Sequence, residues 1–197
     1  MFAGGIAAIA IWLREVAPPY VENWRQGAEG EAKTHRALAG GDWLILDDID
    51  SAHGNYDHIV VGSIGVFLLE TKNLTGIAEI RDDTAWLRRR HDPSEYALKK
   101  LRPHLLADAA EVSSEIQRRT GQRIWVDAVV VFWSEFPQGI VEADRLTYVH
   151  GSRLPDWLST RPTRLRPATL GRVTAAVTAL KHDDEETTSP ARAHPER

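Results

Sequence analysis

The chain has 197 residues, 43% of them hydrophobic and 26% charged, which suits one domain with a real core. It carries no cysteine, which excludes a disulfide framework, a thiolate metal site and a cysteine nucleophile. The net charge of −4 gives no global positive field of the kind that steers nucleic acid.

The first 13 residues, "MFAGGIAAIAIWL", are apolar but shorter than the roughly 18–20 needed to span a bilayer. They lack a basic n-region and an A-x-A cleavage site, which argues against a secretory signal. Residues 1–18 therefore form an N-terminal apolar segment, read as a hydrophobic helix packed on the protein or a partner. Membrane contact through residues 1–13 stays open as the alternative. The main domain is expected over 19–181. It opens with a helical pattern in which Val21, Trp24, Ala28, Glu31, His35 and Leu38 recur at spacings of three and four, ended by Gly40-Gly41.

"DWLILDDID" reads as the first strand, and "YDHIVVG" and "GVFLLETK" as a hairpin around Ser63-Ile64. "GIAEIR" and "AWLRRR" read as two more strands, with Asp82-Asp83 turning between them. From Ser94 to about Thr120 the pattern is helical, with Pro103 a place for a kink or a break. "RIWVDAVVVFW" reads as a long strand with a centre buried on both faces. "LTYVHG", a short helix near "LPDWL" and an amphipathic helix through Leu170, Val173, Val177 and Leu180 follow. From His182 the chain carries five acidic and two basic residues without apolar periodicity, so 182–197 is expected to be a disordered acidic tail. This order of elements implies an α/β or α+β fold, a mixed sheet flanked by helices.

Three charges interrupt the hairpin: Asp57, Glu70 and Lys72. If Gly62 and Gly65 flank a two-residue loop, paired residues have numbers summing to 127. Asp57 then faces Glu70, on the same face as Ile59 and Leu68, and Lys72 projects beside them. Like charges so opposed are destabilising and raise each other's pKa. A divalent cation reverses that repulsion, and Mg²⁺ commonly takes one or two carboxylates plus water and phosphate. Glu31, in the core-facing stripe of the first helix, is a third carboxylate in want of a partner. Gly27 and Gly30 would let that helix approach the sheet closely. His58 alternates to the other face, opposite Leu69, which suits a structural role. His53 and Asn55 lie nearer the charges.

"GAEGE", "GNYDHIVVGSIGVFLLETKN" and "TGIAEI" resemble the nuclease-related domain (NERD) family, of the PD-(D/E)XK nuclease superfamily, over roughly Gly27 to Trp133. The resemblance implies a restriction-endonuclease-like core, a mixed β-sheet flanked by α-helices. It also implies Mg²⁺ (or Mn²⁺)-dependent hydrolysis of phosphodiester bonds, with DNA the expected substrate. It assigns the catalytic roles to Glu31, Asp57, Glu70 and Lys72. Asp57, Glu70 and the backbone carbonyl of Thr71 would hold the metal, with Glu31 bound directly or through water. Tyr56 stands where proline commonly precedes the strand aspartate.

Between Arg81 and His104 lie seven Lys or Arg against four acids. Arg88, Arg89, Arg90, Lys99, Lys100 and Arg102 are the candidates for contact with nucleic-acid phosphates, and Trp86 is either a core residue or a platform for a base. No helix-turn-helix or zinc finger is legible, so specificity is expected from shape, modification, a protein partner or self-association. The expected compartment is the cytoplasm, with membrane association open. Three other readings remain: a NERD-like module that binds nucleic acid or protein without catalysis, a membrane-proximal scaffold, and a non-nuclease metal hydrolase.

Overall fold

In the computed structural model, which describes residues 19–51, 54–89 and 94–188, the glycine-bracketed hairpin forms the middle of a mixed sheet. The chain runs α1 (Pro19–Leu38), β1 (Trp43–Ser51), β2 (Gly54–Gly62), β3 (Gly65–Lys72), β4 (Ile77–Arg81), β5 (Thr84–Arg88) and β6 (Glu95–Ala97). It continues through α2 (Leu101–Thr120), β7 (Val126–Phe132), β8 (Ile140–Ala143) and β9 (Leu146–His150). A 3₁₀ turn at Gly151–Arg153 then leads to α3 (Leu154–Ser159) and α4 (Pro167–Thr188).

Six strands form the main sheet in the order β1-β2-β3-β7-β9-β8, and β4-β5-β6 form a second, smaller one. β7 lies parallel to β3 and to β9, while the hairpin and the β8–β9 pair are antiparallel. Parallel pairing of β3 with β7 requires a long crossover, and the small sheet and α2 provide it. Gln138 ties the small sheet down, its side chain accepting from the Ile80 N–H and donating to the Ile80 carbonyl.

Both faces of the main sheet are covered, which explains the unbroken apolar run of β7: Val129, Val130 and Val131 are fully buried. One face packs Val61, Leu68 and Phe132 against Leu105, Val112 and Ile116 of α2 and Val173 and Val177 of α4. The other packs Val60, Phe67 and Val129 against Leu38 of α1 and Leu154, Trp157 and Leu158 of α3. This is the mixed sheet between helices that the order of elements implied.

Several elements depart from expectation. Residues 95–97 form an edge strand rather than a helical turn, and α2 begins only at Leu101. Pro103 neither kinks nor breaks α2, because it lies in the first turn, where backbone N–H groups have no intrahelical partner. Asp82 and Asp83 make the turn foreseen for them, with φ of 47° and 57°, a pair of left-handed residues matched to hairpin twist. The final helix runs to Thr188, past the His182 boundary where disorder was expected. The N-terminal segment 1–18, His53, Arg90 and residues 189–197 of the tail lie outside the described residues. Among the described residues no helix is long and apolar enough to cross a membrane.

Candidate active site

The hairpin register follows the glycines. Gly62–Gly65, Val61–Val66, Val60–Phe67, Ile59–Leu68 and His58–Leu69 are paired, each summing to 127. The ladder then stops one position short of Asp57 and Glu70. Continued alternation would bring the Thr71 N–H to a backbone carbonyl of β2. Instead it donates to the Asp57 carboxylate, 2.6 Å to Oδ2. The acid therefore lies in the gap between the parted strands.

A second irregularity frames it. The β1–β2 pairing runs from Trp43–Gly62 to Asp47–His58, skips the position where Asp48 would face Asp57, and resumes at Ile49–Tyr56. Asp48 is left-handed, with φ 52°, and accepts at 2.7 Å from the Asn55 amide. Ile49 and Tyr56 pack in the same core as Leu46 and Ile59, three residues away in each strand rather than two. Alternation slips by one on both strands at these aspartates. Asp57 thus does not share a face with Ile59 as strict alternation required. The physical reason is electrostatic: a regular ladder would set Asp57 opposite an acid on each side, Asp48 and Glu70.

Glu70 and Lys72 remain together, half-buried, with the Lys72 ammonium donating to Glu70 Oε1. Burial and then the Glu70 charge push the Asp57 carboxyl up to about 7, with Glu31 adding to the rise. The Thr71 N–H and the Lys72 charge pull the other way. Glu31, Glu70 and Lys72 are thus all within electrostatic reach of Asp57. The Lys72 carbonyl accepts from Trp133 N–H on the β7 side, at 2.9 Å. Alternation then turns the Thr71 carbonyl, like its N–H, towards the Asp57 side. Among the described residues no group of three or more His, Asp or Glu side chains is placed to hold a metal ion.

Glu31 reaches this place on α1, which covers the sheet face opposite α2. The close approach depends on Gly30: a Cβ there would stand 2.7 Å from Asn73 Cβ and 3.1 Å from Thr71 Cγ2. Gly27 needs no such room, since a Cβ there would meet only the Glu31 carboxylate, at 4.0 Å. The inner face of α1 is Gly30, Thr34 and Leu38, while Ala28 and His35 of the expected stripe are exposed. The side chains of Val21 and Trp24 are outside those described. Thr34 is fully buried and hydrogen-bonds Thr71 Oγ1 at 3.0 Å and Trp133 Nε1 at 2.8 Å. These polar ties hold the helix in register and leave Glu31 half-buried at its margin.

Glu70 and Lys72 face a cavity of about 570 Å³, whose other wall carries Lys99, Lys100, His104 and Asp108. Of the basic candidates among the described residues, only Lys99 and Lys100 line it. Arg88 extends beside Glu95 on the small sheet, 4.0 Å away, and Arg89 lies over the Tyr96 ring. Arg102 turns away to donate to the Asp144 carbonyl at 2.9 Å. Trp86 is half-buried beneath the Arg81 guanidinium, 4.6 Å from its ring centre. His58 is fully buried with Nδ1 2.7 Å from Asp47 Oδ1, the structural role expected of it, and Asn55 is exposed. His104 and Asp108 are the titratable cleft residues that the candidates omit; the spacing of four through Lys100, His104 and Asp108 is the signal that could have found them.

A mixed sheet between helices, with an aspartate in a parted hairpin and a Glu-x-Lys on the adjoining strand, defines a nuclease-like α/β core. The model of the nuclease-related domain family, NERD, matches residues 26–133, more than half of the chain, and the chain belongs to that family. The placement is consistent with the PD-(D/E)XK superfamily. No match was found among curated proteins or among solved structures.

Proposed function

We propose that this domain is a Mg²⁺- or Mn²⁺-dependent nuclease that hydrolyses phosphodiester bonds, with DNA as its substrate. The observation that carries the reading is the convergence of Asp57, Glu70 and Lys72 where the β2–β3 ladder parts, with Glu31 in reach. Such an arrangement costs stability in an empty protein, and a fold that keeps it invites a functional explanation.

The donor set fits a hard cation. Asp57, Glu70 and the Thr71 carbonyl offer oxygen ligands only, and Glu31 can join directly or through water; Mg²⁺ completes such sets with water and phosphate, so a third fixed side chain is not demanded. When bound, the ion acidifies a water and offsets charge building on the phosphate. The protein's own residues do the rest. Asp57 is steered by the Thr71 N–H and must be ionised to serve, which its pKa of about 7 ties to neutral or alkaline pH. Lys72 orients the attacking water; to take that water's proton it must first leave Glu70 and release its own to solvent, acting as the neutral amine. Lys99 and Lys100 draw the backbone towards the cleft. A partner or self-association is the proposed source of further specificity, and the cytoplasm the proposed compartment.

A second reading has one observation in its favour. Glu70 is engaged by Lys72, and no three ligand side chains among the described residues are grouped as they stand. That would suit a module that binds nucleic acid without cutting it. Incubation with linear, circular and branched DNA and with RNA, in Mg²⁺, Mn²⁺ or EDTA, separates the two. The nuclease reading expects cleavage abolished by EDTA; binding of the same substrates without cleavage in either metal would favour the silent module.

A further inference from the structure

The cavity beside Glu70 and Lys72 has a composition that phosphate binding alone does not explain. Four of its ten lining residues are apolar: Ala97, Leu98, Leu101 and Leu105. Ala97, Leu98 and Leu101 are half-buried and form a greasy floor between the end of the small sheet and the first turn of α2, with Leu105 buried in the core beneath them. Above it stand Lys99, Lys100 and His104, with the Asp108 carboxylate one turn further along α2, and across from them Lys72 with Glu70. A surface that met only the outside of a duplex would meet phosphates, since the base faces are stacked inside. A floor of leucines has no partner there.

We propose that this cavity seats one unpaired nucleotide next to the scissile phosphate, and that the protein acts on single-stranded or frayed nucleic acid in preference to intact duplex. The inference rests on the nuclease reading above and names the structure of its substrate. About 570 Å³ is the volume of a pocket for one small ligand, so one nucleotide fits and a base pair in its stack does not. Taking a base out of its stack costs free energy, least where the base is already unpaired. An apolar floor repays part of that cost by covering the base face, as stacking side chains do in single-strand grooves. Its phosphate meets Lys99 and Lys100, at the start of α2. That helix has no acid in its first turn and no side-chain cap at Lys100, so its positive end is not offset. The phosphate on the other side of the nucleotide then lies towards Glu70 and Lys72.

The test separates binding from chemistry. In EDTA, wild-type protein is titrated into fluorescent oligonucleotides of one length: single-stranded, blunt duplex, and duplex with a single-stranded overhang. The expected result is at least tenfold tighter binding of the single strand and the overhang than of the blunt duplex. Ala97→Trp, which fills the cavity, and Lys99→Ala/Lys100→Ala, which keeps its floor, should each reduce that preference at least threefold. Thermal melts identify a variant that has lost its fold, and the lysine pair, both exposed, keeps the test decisive if Ala97→Trp does not fold. Equal affinity for blunt duplex, or a preference untouched in both folded variants, overturns the inference. Hydrolysis of bis(p-nitrophenyl) phosphate by wild type with Mn²⁺ reads the nuclease chemistry without any nucleotide. If that reaction occurs while the strand preference is absent, the cavity assignment fails and the nuclease reading stands. If the preference and its loss in the variants hold with no hydrolysis of either substrate, the nuclease reading fails and the seat belongs to a binding module.

Discussion

The two ends of one hairpin obey different rules. At the turn, Val60, Val61, Val66 and Phe67 pair in strict register and are fully buried, each face meeting a different helix layer. Three or four residues further on, the same strands part, Asp48 of the neighbouring β1 turns left-handed, and a carboxylate replaces a ladder carbonyl. The first end contributes stability through burial and complete pairing. The second gives up pairing to hold like charges close together, and it can do so because the first end and β7 keep β3 fixed. Rigid apolar end and strained polar end belong to one device.

This contrast is sharpened most by cutting into the apolar end. Leu68→Ala, at a site 1% exposed, should cost about 2–5 kcal/mol in denaturant unfolding. A cost below about 1 kcal/mol would mean that the hairpin is not the rigid base described. Gly30→Ala should cost about 1–3 kcal/mol, since its Cβ meets Asn73 and Thr71. The shift of α1 that relieves the clash also moves Glu31, so cleavage should fall with stability. Gly27→Ala, which meets no second element, should change stability by less than about 1 kcal/mol, the direction favouring alanine within a helix.

At the polar end the sign reverses. The Asp57 pKa is raised from 3.8 to about 7, so the folded state holds its proton more tightly than the unfolded chain does. Stability is therefore lost as pH rises from about 4 to 7, and the loss is complete above that window. Asp57→Asn removes the charge and keeps an acceptor for the Thr71 N–H. It should stabilise the metal-free protein by about 1–3 kcal/mol at pH 8 and by much less at pH 4. Melting curves across that range check it; a variant less stable than wild type at pH 8 would break the comparison. Saturating Mg²⁺ should raise the wild-type melting temperature at pH 8 and leave that of Asp57→Asn nearly unchanged. The smallest effect belongs to the cleft's rim. Removing Lys99 or Lys100 should lower the salt slope of single-strand binding by about 0.7 for each phosphate that is no longer neutralised.

The register was readable because two glycines and a period of two leave little freedom: every observed pair of β2 with β3 sums to 127. Where it stopped was not readable, because alternation says nothing of a strand that slips to relieve like charges. The buried face of α1 escapes the sequence for a related reason. Apart from Leu38, which the stripe included, its contacts are a glycine and a threonine, Gly30 and Thr34, which no hydropathy pattern marks as buried. The helix's orientation rests on Thr34 bonding Thr71 and Trp133, partners 37 and 99 residues away. Edge strands β6 and β8 are three and four residues long, too short to show a period. The basic run was visible as charge, yet charge alone could not distinguish Lys99 and Lys100 at the cleft from Arg102, whose guanidinium is spent on the Asp144 carbonyl.

The most direct measurement is cleavage of DNA in Mg²⁺ by wild type, Glu70→Ala and Lys72→Ala, with each variant's fold checked by its melt. The account predicts cleavage by wild type and a loss on the order of 10²–10⁴ in rate for either variant, each still folded. Cleavage that survives both substitutions would contradict it and remove this site from the chemistry.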